Sequence, residues 1–204
     1  MAILKVARAT FLQHGYFEAS MSQIAEHVGG SKATLYNYFP SKKELFVAVA
    51  DEEATQKFKS LFDMGEMNGD ISSALEKFVQ KLLILLLSDE VVAFFRLVVA
   101  ETKRFPEVGA TAYEIGVKRV LELTREYFSA AVERGELRRV NLTAMTEQFM
   151  DLCNGHLHRK RLWGIIDTVN QEDIDIQAKR VVATFLAAYG NDELSSAARQ
   201  NVGL

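Results

Sequence analysis

Apolar residues recur at three- and four-residue spacings along almost the whole chain, and the helix-breaking residues fall between those runs rather than inside them. No segment shows the strict alternation of a half-buried strand, so the pattern predicts an all-helical protein. The longest apolar run, Leu82 to Leu87, is closed by Lys81 on one side and by Ser88, Asp89 and Glu90 on the other. That is far short of a membrane span and reads as a buried helix. With 204 residues, 49% apolar, 25% charged and only two prolines, the chain has enough apolar surface for a small unit and a larger one. Lys5 and Arg8 interrupt the apolar N-terminus and no small-residue cleavage site follows, so a secreted leader is not expected and a cytoplasmic location is. The single cysteine, Cys153, cannot close an intrachain disulfide.

Helix signals divide the chain finely at its start. A first helix is expected to run to about His14, with Ile3, Leu4, Ala7 and Phe11 on one face and Gly15 as a left-handed C-cap. A very short second one starts at Ser20, which with Gln23 forms a capping box, and ends at Gly29–Gly30. The third is SKATLYNYF, with Ser31 as N-cap and Pro40 as the stop. Ser41 and Glu44 open a fourth, through Leu45, Phe46 and Val49 to about Phe62. Met64 to Asp70, with two glycines, is the expected joint. Long helices are expected near 71–88, 89–104, 108–134, 142–163 and 172–190, followed by a frayed tail from Leu194.

The net charge of −3 is unevenly spread. Residues 1–50 carry five Lys/Arg against three acids, and the remainder carries 19 basic against 24 acidic residues. This split suits a polyanion-facing head on an acidic body. Two short helices joined by a glycine turn, covered by a preceding helix, form a helix-turn-helix whose second helix can enter a DNA major groove. Leu35 and Phe39 share the face that packs inward. The rest of that helix presents Lys32, Ala33, Thr34, Tyr36, Asn37 and Tyr38: hydroxyls and amides for phosphate oxygens, small apolar groups for thymine methyls, and Asn37 for a base edge. Ser20 and Ser22 at one helix start, and Lys42 at another, stand where phosphates are held.

TLYNYFPSKKELF, preceded by FLQHGYFEASMSQIAEHVG, resembles the TetR family of bacterial repressors. The resemblance implies a helix-turn-helix at about 20–39 within a DNA-binding domain of residues 1–46. It also implies DNA contacts at Lys32, Ala33, Thr34, Tyr36, Asn37, Tyr38 and Lys42, and a helical effector-binding and dimerisation domain over 47–204. Two departures stand out: Gly30 occupies a position where the family usually carries a branched apolar residue, and only Met1 and Ala2 precede Ile3, where the family usually has a basic segment. Farther along, FFRLVVAETKRFPEVG and AAVERGELR are similar to the AefR-like subfamily.

Three functions compete on these grounds. The first is a regulator that binds a palindromic operator as a dimer and is released by a small, largely apolar effector; the second is a helix-turn-helix protein with no inducer. An enzyme fits least, because no nucleophile–base pair, phosphate loop or spaced carboxylate pair is present. Effector lining is expected among Phe62, Phe94, Phe95, Val98, Tyr113, Val117, Phe149 and His156, and no cofactor is expected. Cys153, His156 and His158 are too few and too poorly spaced for a metal site, and read as core residues. His158 to Arg161 reads as a basic last turn complementing the helix dipole. The dimer is expected through about 142–163 and 172–190, with Ala178, Val181, Val182, Phe185, Leu186 and Tyr189 as its seam.

Overall fold

The structure, a computed structural model, describes residues 2–62 and 69–202, and the described residues are helical with no strand. In chain order the helices are α1 (Ala2–Glu18), α2 (Met21–Val28), α3 (Lys32–Tyr38), α4 (Lys42–Leu61), α5 (Ile71–Leu87), α6 (Asp89–Thr102) and α7 (Pro106–Ala112). A π-helical turn at Tyr113–Val117 leads into α8 (Lys118–Glu133), followed by α9 (Leu142–Cys153), α10 (His156–Leu162), α11 (Gln171–Tyr189) and α12 (Asp192–Val202). Most of the expected joint at Met64–Asp70 lies outside the described residues; of its last two, Asp70 caps α5 by accepting from Ser73 N at 3.0 Å. No helix among the described residues is long and apolar enough to cross a membrane.

The chain forms two compact units. The first comprises Met1–Lys57 and Ala93–Arg119. Its core is a cluster of rings: Phe11, Tyr16 and Phe46 lie with centroids 5.2–5.8 Å apart, and Phe105 and Phe94 extend the cluster at 5.3 and 6.2 Å. Ala7, Ile24, Leu35 and Leu45 seal it. Gly15 breaks α1 with φ 78 and ψ 167, a conformation open to glycine but outside the left-handed helical well expected for a C-cap. The chain therefore resumes a turn through Glu18, beyond the end expected at His14.

The second unit comprises Phe58–Val92 and Val120–Leu204, and packs α11 against α5, α9 and α12. Phe128, Phe149 and Phe185 meet with centroids 4.8–5.2 Å apart at its centre, Phe128 stacked on Phe185 and Phe149 edge-on to both. The Leu82–Leu87 run is the helix the sequence predicts, with Leu82, Leu83, Leu86 and Leu87 buried and Ile84 turned out.

Three expectations are corrected here. The helix expected over 142–163 is two, because Asn154 caps α9 and Gly155 departs from helical geometry (ψ −134) before α10. The tail expected to fray is α12, whose Ser195 and Ala198 are buried. Ser195 Oγ donates to Ala187 O at 2.9 Å, and Arg138 Nε donates to Gly190 O at 2.8 Å, fastening the junction between α11 and α12. The third concerns the dimer seam: Ala178, Val181, Val182, Phe185 and Leu186 are buried within their own chain, so that stripe builds the core and is not free for a partner.

Candidate functional site

Local chemistry builds the two short helices. Ser20 Oγ accepts from Gln23 N at 3.2 Å while Ser20 N donates to the Gln23 side chain at 2.9 Å, the reciprocal capping box that satisfies two donors at the start of α2. Gly29, with φ 76 and ψ 22, ends α2 in the left-handed conformation, and Gly30 N reaches back to Ala25 O at 3.1 Å. Ser31 then caps α3, accepting from Thr34 N at 3.0 Å.

The α3 helix has seven residues and buries one, Leu35, with Phe39 beyond its end packed partly against the same core. Lys32, Ala33, Thr34, Tyr36, Asn37 and Tyr38 are all exposed, and Tyr38 is 68% accessible. A helix serving only the core would not leave two tyrosines, an amide and a lysine in water. Lys32 Nζ sits 5.9 Å from the Tyr36 ring centroid, and the Thr34 hydroxyl lies 2.8 Å from that of Ser31. Ser22 is exposed at the start of α2, whereas the Ser20 hydroxyl is half-buried and engaged in the capping box.

Lys42 makes contacts that the sequence did not suggest. Its ammonium donates to Tyr16 O, Phe17 O and Ala19 O at 2.7, 3.0 and 3.0 Å and lies 4.7 Å from the Tyr16 ring centroid. Those carbonyls belong to the end of α1, where backbone acceptors have no helical partner. All three ammonium donors are engaged, so Lys42 ties the start of α4 to the end of α1. Burial pushes its pKa down, against the upward pull of Glu101, Glu18 and Glu107. Around this joint Phe17 N donates to Glu101 Oε1 at 3.3 Å, and the Arg104 guanidinium lies 3.3 Å from the Phe17 ring centroid. Spacing alone could not reveal this role, because it depends on how far a lysine reaches across the fold. The exposed neighbour Lys43 is the cation that α4 leaves in water at its start.

The expected effector residues are distributed over both units. Phe94 and Val98 pack against the core of the first unit, Phe95 is half-buried in the same unit, and Tyr113 and Val117 are exposed there. His156 is exposed on α10. Phe62 and Phe149 do come together in the second unit, lining a crevice of about 170 Å³, counted with its space open to solvent, with Leu75, Phe78, Thr124, Tyr127 and Phe128. Thr124, Tyr127 and Phe128 share one face of α8 by three- and four-residue spacing, a signal available in the sequence but indistinguishable there from core packing. Burial pushes the Tyr127 hydroxyl pKa up, opposed by the nearby Arg134. No His/Cys/Asp/Glu group able to hold a metal occurs among the described residues, and the Cys153 thiol is buried with its pKa pushed up.

Comparison with known proteins converges on one description. Residues 3–49 match the family model for bacterial regulatory proteins of the tetR family, and residues 73–191 match that for the C-terminal domain of AefR-like transcriptional repressors. The transcriptional repressor AcnR of Corynebacterium diphtheriae is 35% identical over 63 residues, covering 31% of this chain and 33% of that protein. The chain thus spans about a third of the length of that curated relative. A TetR-family regulator from Mesorhizobium loti MAFF303099 superposes with a TM-score of 0.82 at 26% identity, covering 93% of this chain and 95% of its own. The flavonoid-responsive regulator FrrA gives a TM-score of 0.82 at 27% identity, covering 94% and 96%.

Proposed function

Because the chain belongs to the TetR family of DNA-binding transcriptional regulators, we propose that it acts as a repressor which binds a palindromic operator as a dimer and is released by a small, largely apolar effector. The observation that carries the DNA half is α3, with six polar or small side chains in water over one buried anchor, Leu35. Thr34 and Asn37 read base edges. Lys32, Tyr36, Tyr38, Ser22 and the free backbone N–H groups at the starts of α2 and α4 hold phosphates. One helix this short reads too few bases for a unique site, so a second copy is needed one turn of DNA away, about 34–36 Å.

The dimer uses the outward faces of 142–163 and 172–190. There Trp163, at 70% exposure, and Ile176, at 41%, are the apolar side chains left for a partner once the α11 stripe is spent on the core. The effector half rests on the aromatic crevice. Its wall residue Phe62 continues the α4 ladder, donating to Phe58 O at 2.9 Å, and α4 is one helix back to Lys42. A ligand that parts the crevice walls moves the end of α4 and so shifts the spacing of the two reading helices; a 5- to 150-fold loss of DNA affinity requires about 1–3 kcal/mol of coupling. The name of FrrA, a flavonoid-responsive protein, is consistent with an aromatic effector. The narrowness of the crevice, below the roughly 300 Å³ of a drug-sized pocket, favours a second reading, a DNA-binding protein with no inducer.

Anisotropy on DNA selected by the protein itself tests this. The expected result is a two-fold-symmetric site bound at dimer stoichiometry, with affinity falling about 10³–10⁵-fold between 50 and 200 mM salt for roughly 6–10 phosphate contacts. Binding as a monomer, or with no salt dependence, overturns the reading. A bound apolar compound that leaves operator affinity unchanged selects the inducer-free alternative.

A further inference from the structure

The corner between α1 and α2 leaves two consecutive side chains, Phe17 and Glu18, in water, so burial does not set its path there. Side chains from elsewhere in the first unit meet its backbone instead. Lys42 takes the carbonyls of Tyr16, Phe17 and Ala19, and Phe17 N donates to Glu101 Oε1 at 3.3 Å. Phe17 thus has its N–H on a carboxylate and its C=O on an ammonium, the charged form of the hydrogen bond on both sides. The same Glu101 oxygen stands 2.7 Å from where a Cβ on Gly15 would lie, so the carboxylate occupies room that only a glycine leaves.

Glu101 reaches the corner from a braced segment. It lies in the last turn of α6, and its own carbonyl accepts from Arg104 N and Phe105 N at 3.0 and 2.8 Å. Beyond it Val108 is fully buried in the core of the first unit, and the Phe105 ring lies 5.3 Å from that of Tyr16. The α7 helix comes so near the end of α6 that a Cβ on Gly109 would lie 2.7 Å from the Thr102 side chain. Three residues after Glu101, the Arg104 guanidinium covers the Phe17 ring, so the end of α6 holds Phe17 by both its backbone and its side chain. Two residues farther on, Ser20 opens α2, and α2 carries α3 through the left-handed turn at Gly29. A rotation at the corner is therefore passed to the exposed helix.

We propose that Glu101 is a positioning residue for operator binding: from the end of α6 its carboxylate fixes the α1–α2 corner at Phe17 N, and through that corner the entry of α2 and the aim of α3. The inference rests on the proposed DNA binding and adds to it a residue far along the chain from the helix-turn-helix, on which operator affinity depends without a DNA contact of its own.

The test compares the full chain with Glu101→Ala, Glu101→Gln and Glu101→Asp, well below the melting temperature of each. Amide exchange at Phe17 is followed by NMR, and affinity for DNA selected by the wild type is followed by anisotropy across a salt series. Alanine and glutamine remove the same charge, but glutamine keeps an oxygen for Phe17 N; aspartate keeps the charge and loses the reach. Glu101→Ala and Glu101→Asp expose the Phe17 amide to exchange and weaken operator binding about tenfold, inside the roughly 2- to 30-fold range for residues that act on a site without touching its ligand. Glu101→Gln restores both. The salt slope stays that of wild type in every variant, because no phosphate contact is lost. The sign is itself diagnostic, since removal of an acidic charge near DNA would by electrostatics alone tighten binding. Wild-type affinity in Glu101→Ala, equal Phe17 exchange in Glu101→Ala and wild type, or a Glu101→Gln variant as weak as Glu101→Ala each overturns the inference. A wild type that binds no DNA refutes the proposed function and this inference with it, whereas a wild type that binds beside an unimpaired Glu101→Ala refutes the inference alone.

Discussion

Replacing Lys42 with methionine removes an ammonium that donates to three carbonyls at 2.7, 3.0 and 3.0 Å and faces the Tyr16 ring at 4.7 Å. Hydrogen bonds to a charged group contribute about 1.5–3 kcal/mol each, so three taken separately reach roughly 4.5–9 kcal/mol. That sum is too large for two reasons. The three bonds share one donor group and are not independent, and Phe17 is exposed, so water takes over its carbonyl when the ammonium leaves. Methionine also removes a charge that burial already penalises. A net loss of about 2–4 kcal/mol remains, which in a chain of this length lowers the melting temperature by roughly 4–16 °C. The neighbouring Lys43→Met, on an exposed side chain, changes stability by no more than about 0.5 kcal/mol and serves as the control. The assay is thermal and urea unfolding of both variants, together with the slope of log affinity against log salt on operator DNA. If Lys42→Met unfolds with Lys43→Met and its salt slope flattens by about one unit, Lys42 is a phosphate contact, as its place in the sequence suggests, and the capping argument is refuted.

Asn37→Ala or Thr34→Ala should relax preference at individual base pairs, each good base contact being worth about 1–3 kcal/mol, as read by selection from a randomised site. Phe185→Ala should cost about 3–5 kcal/mol in urea unfolding, since the ring is fully buried against Phe128 and Phe149; Phe185→Asp should yield no folded monomer, and a soluble, folded one by light scattering would contradict that placement. Burial lowers the pKa of His158 below its ordinary 6.5. The unfolded chain therefore takes up its proton first, and stability falls as pH drops from about 6.5 until the folded pKa is passed; His158→Gln should flatten the melting temperature across that window.

Much of the head was legible in the sequence because its signals are local. Ser20 with Gln23, Gly29 and Ser31 with Thr34 each act within a few residues, and the structure contains both caps and the left-handed glycine. The exposure of α3 followed from one constraint, that Leu35 and Phe39 share a face. What stayed hidden were bonds that depend on distant parts of the chain. Gly15 has a positive φ, as a helix-ending glycine should, but its ψ of 167 lets the chain turn on to Glu18 and presents the carbonyls that Lys42 caps. Arg138 and Ser195, 57 residues apart, turn a polar tail into a packed helix.

The crevice and the dimer seam show a limit of periodicity itself. A three-four stripe says that a helix face avoids water, and it is silent on whether the cover comes from the same chain, a second copy or a ligand. On α11 the cover is the chain's own Phe128 and Phe149, which removes Phe185 from any partner surface. On α8 the stripe Thr124, Tyr127 and Phe128 looks the same in sequence, and it too is packed within the chain, with one hydroxyl, that of Thr124, left without a partner among the described residues. The distinction lies in polar satisfaction rather than hydropathy: a filled core ordinarily leaves no donor unmatched. That is why the thermal response of Thr124→Val is informative. It asks whether the hydroxyl costs stability: if it does, the variant, which fills the same shape, melts at or above wild type, and a variant that melts well below wild type refutes the reading.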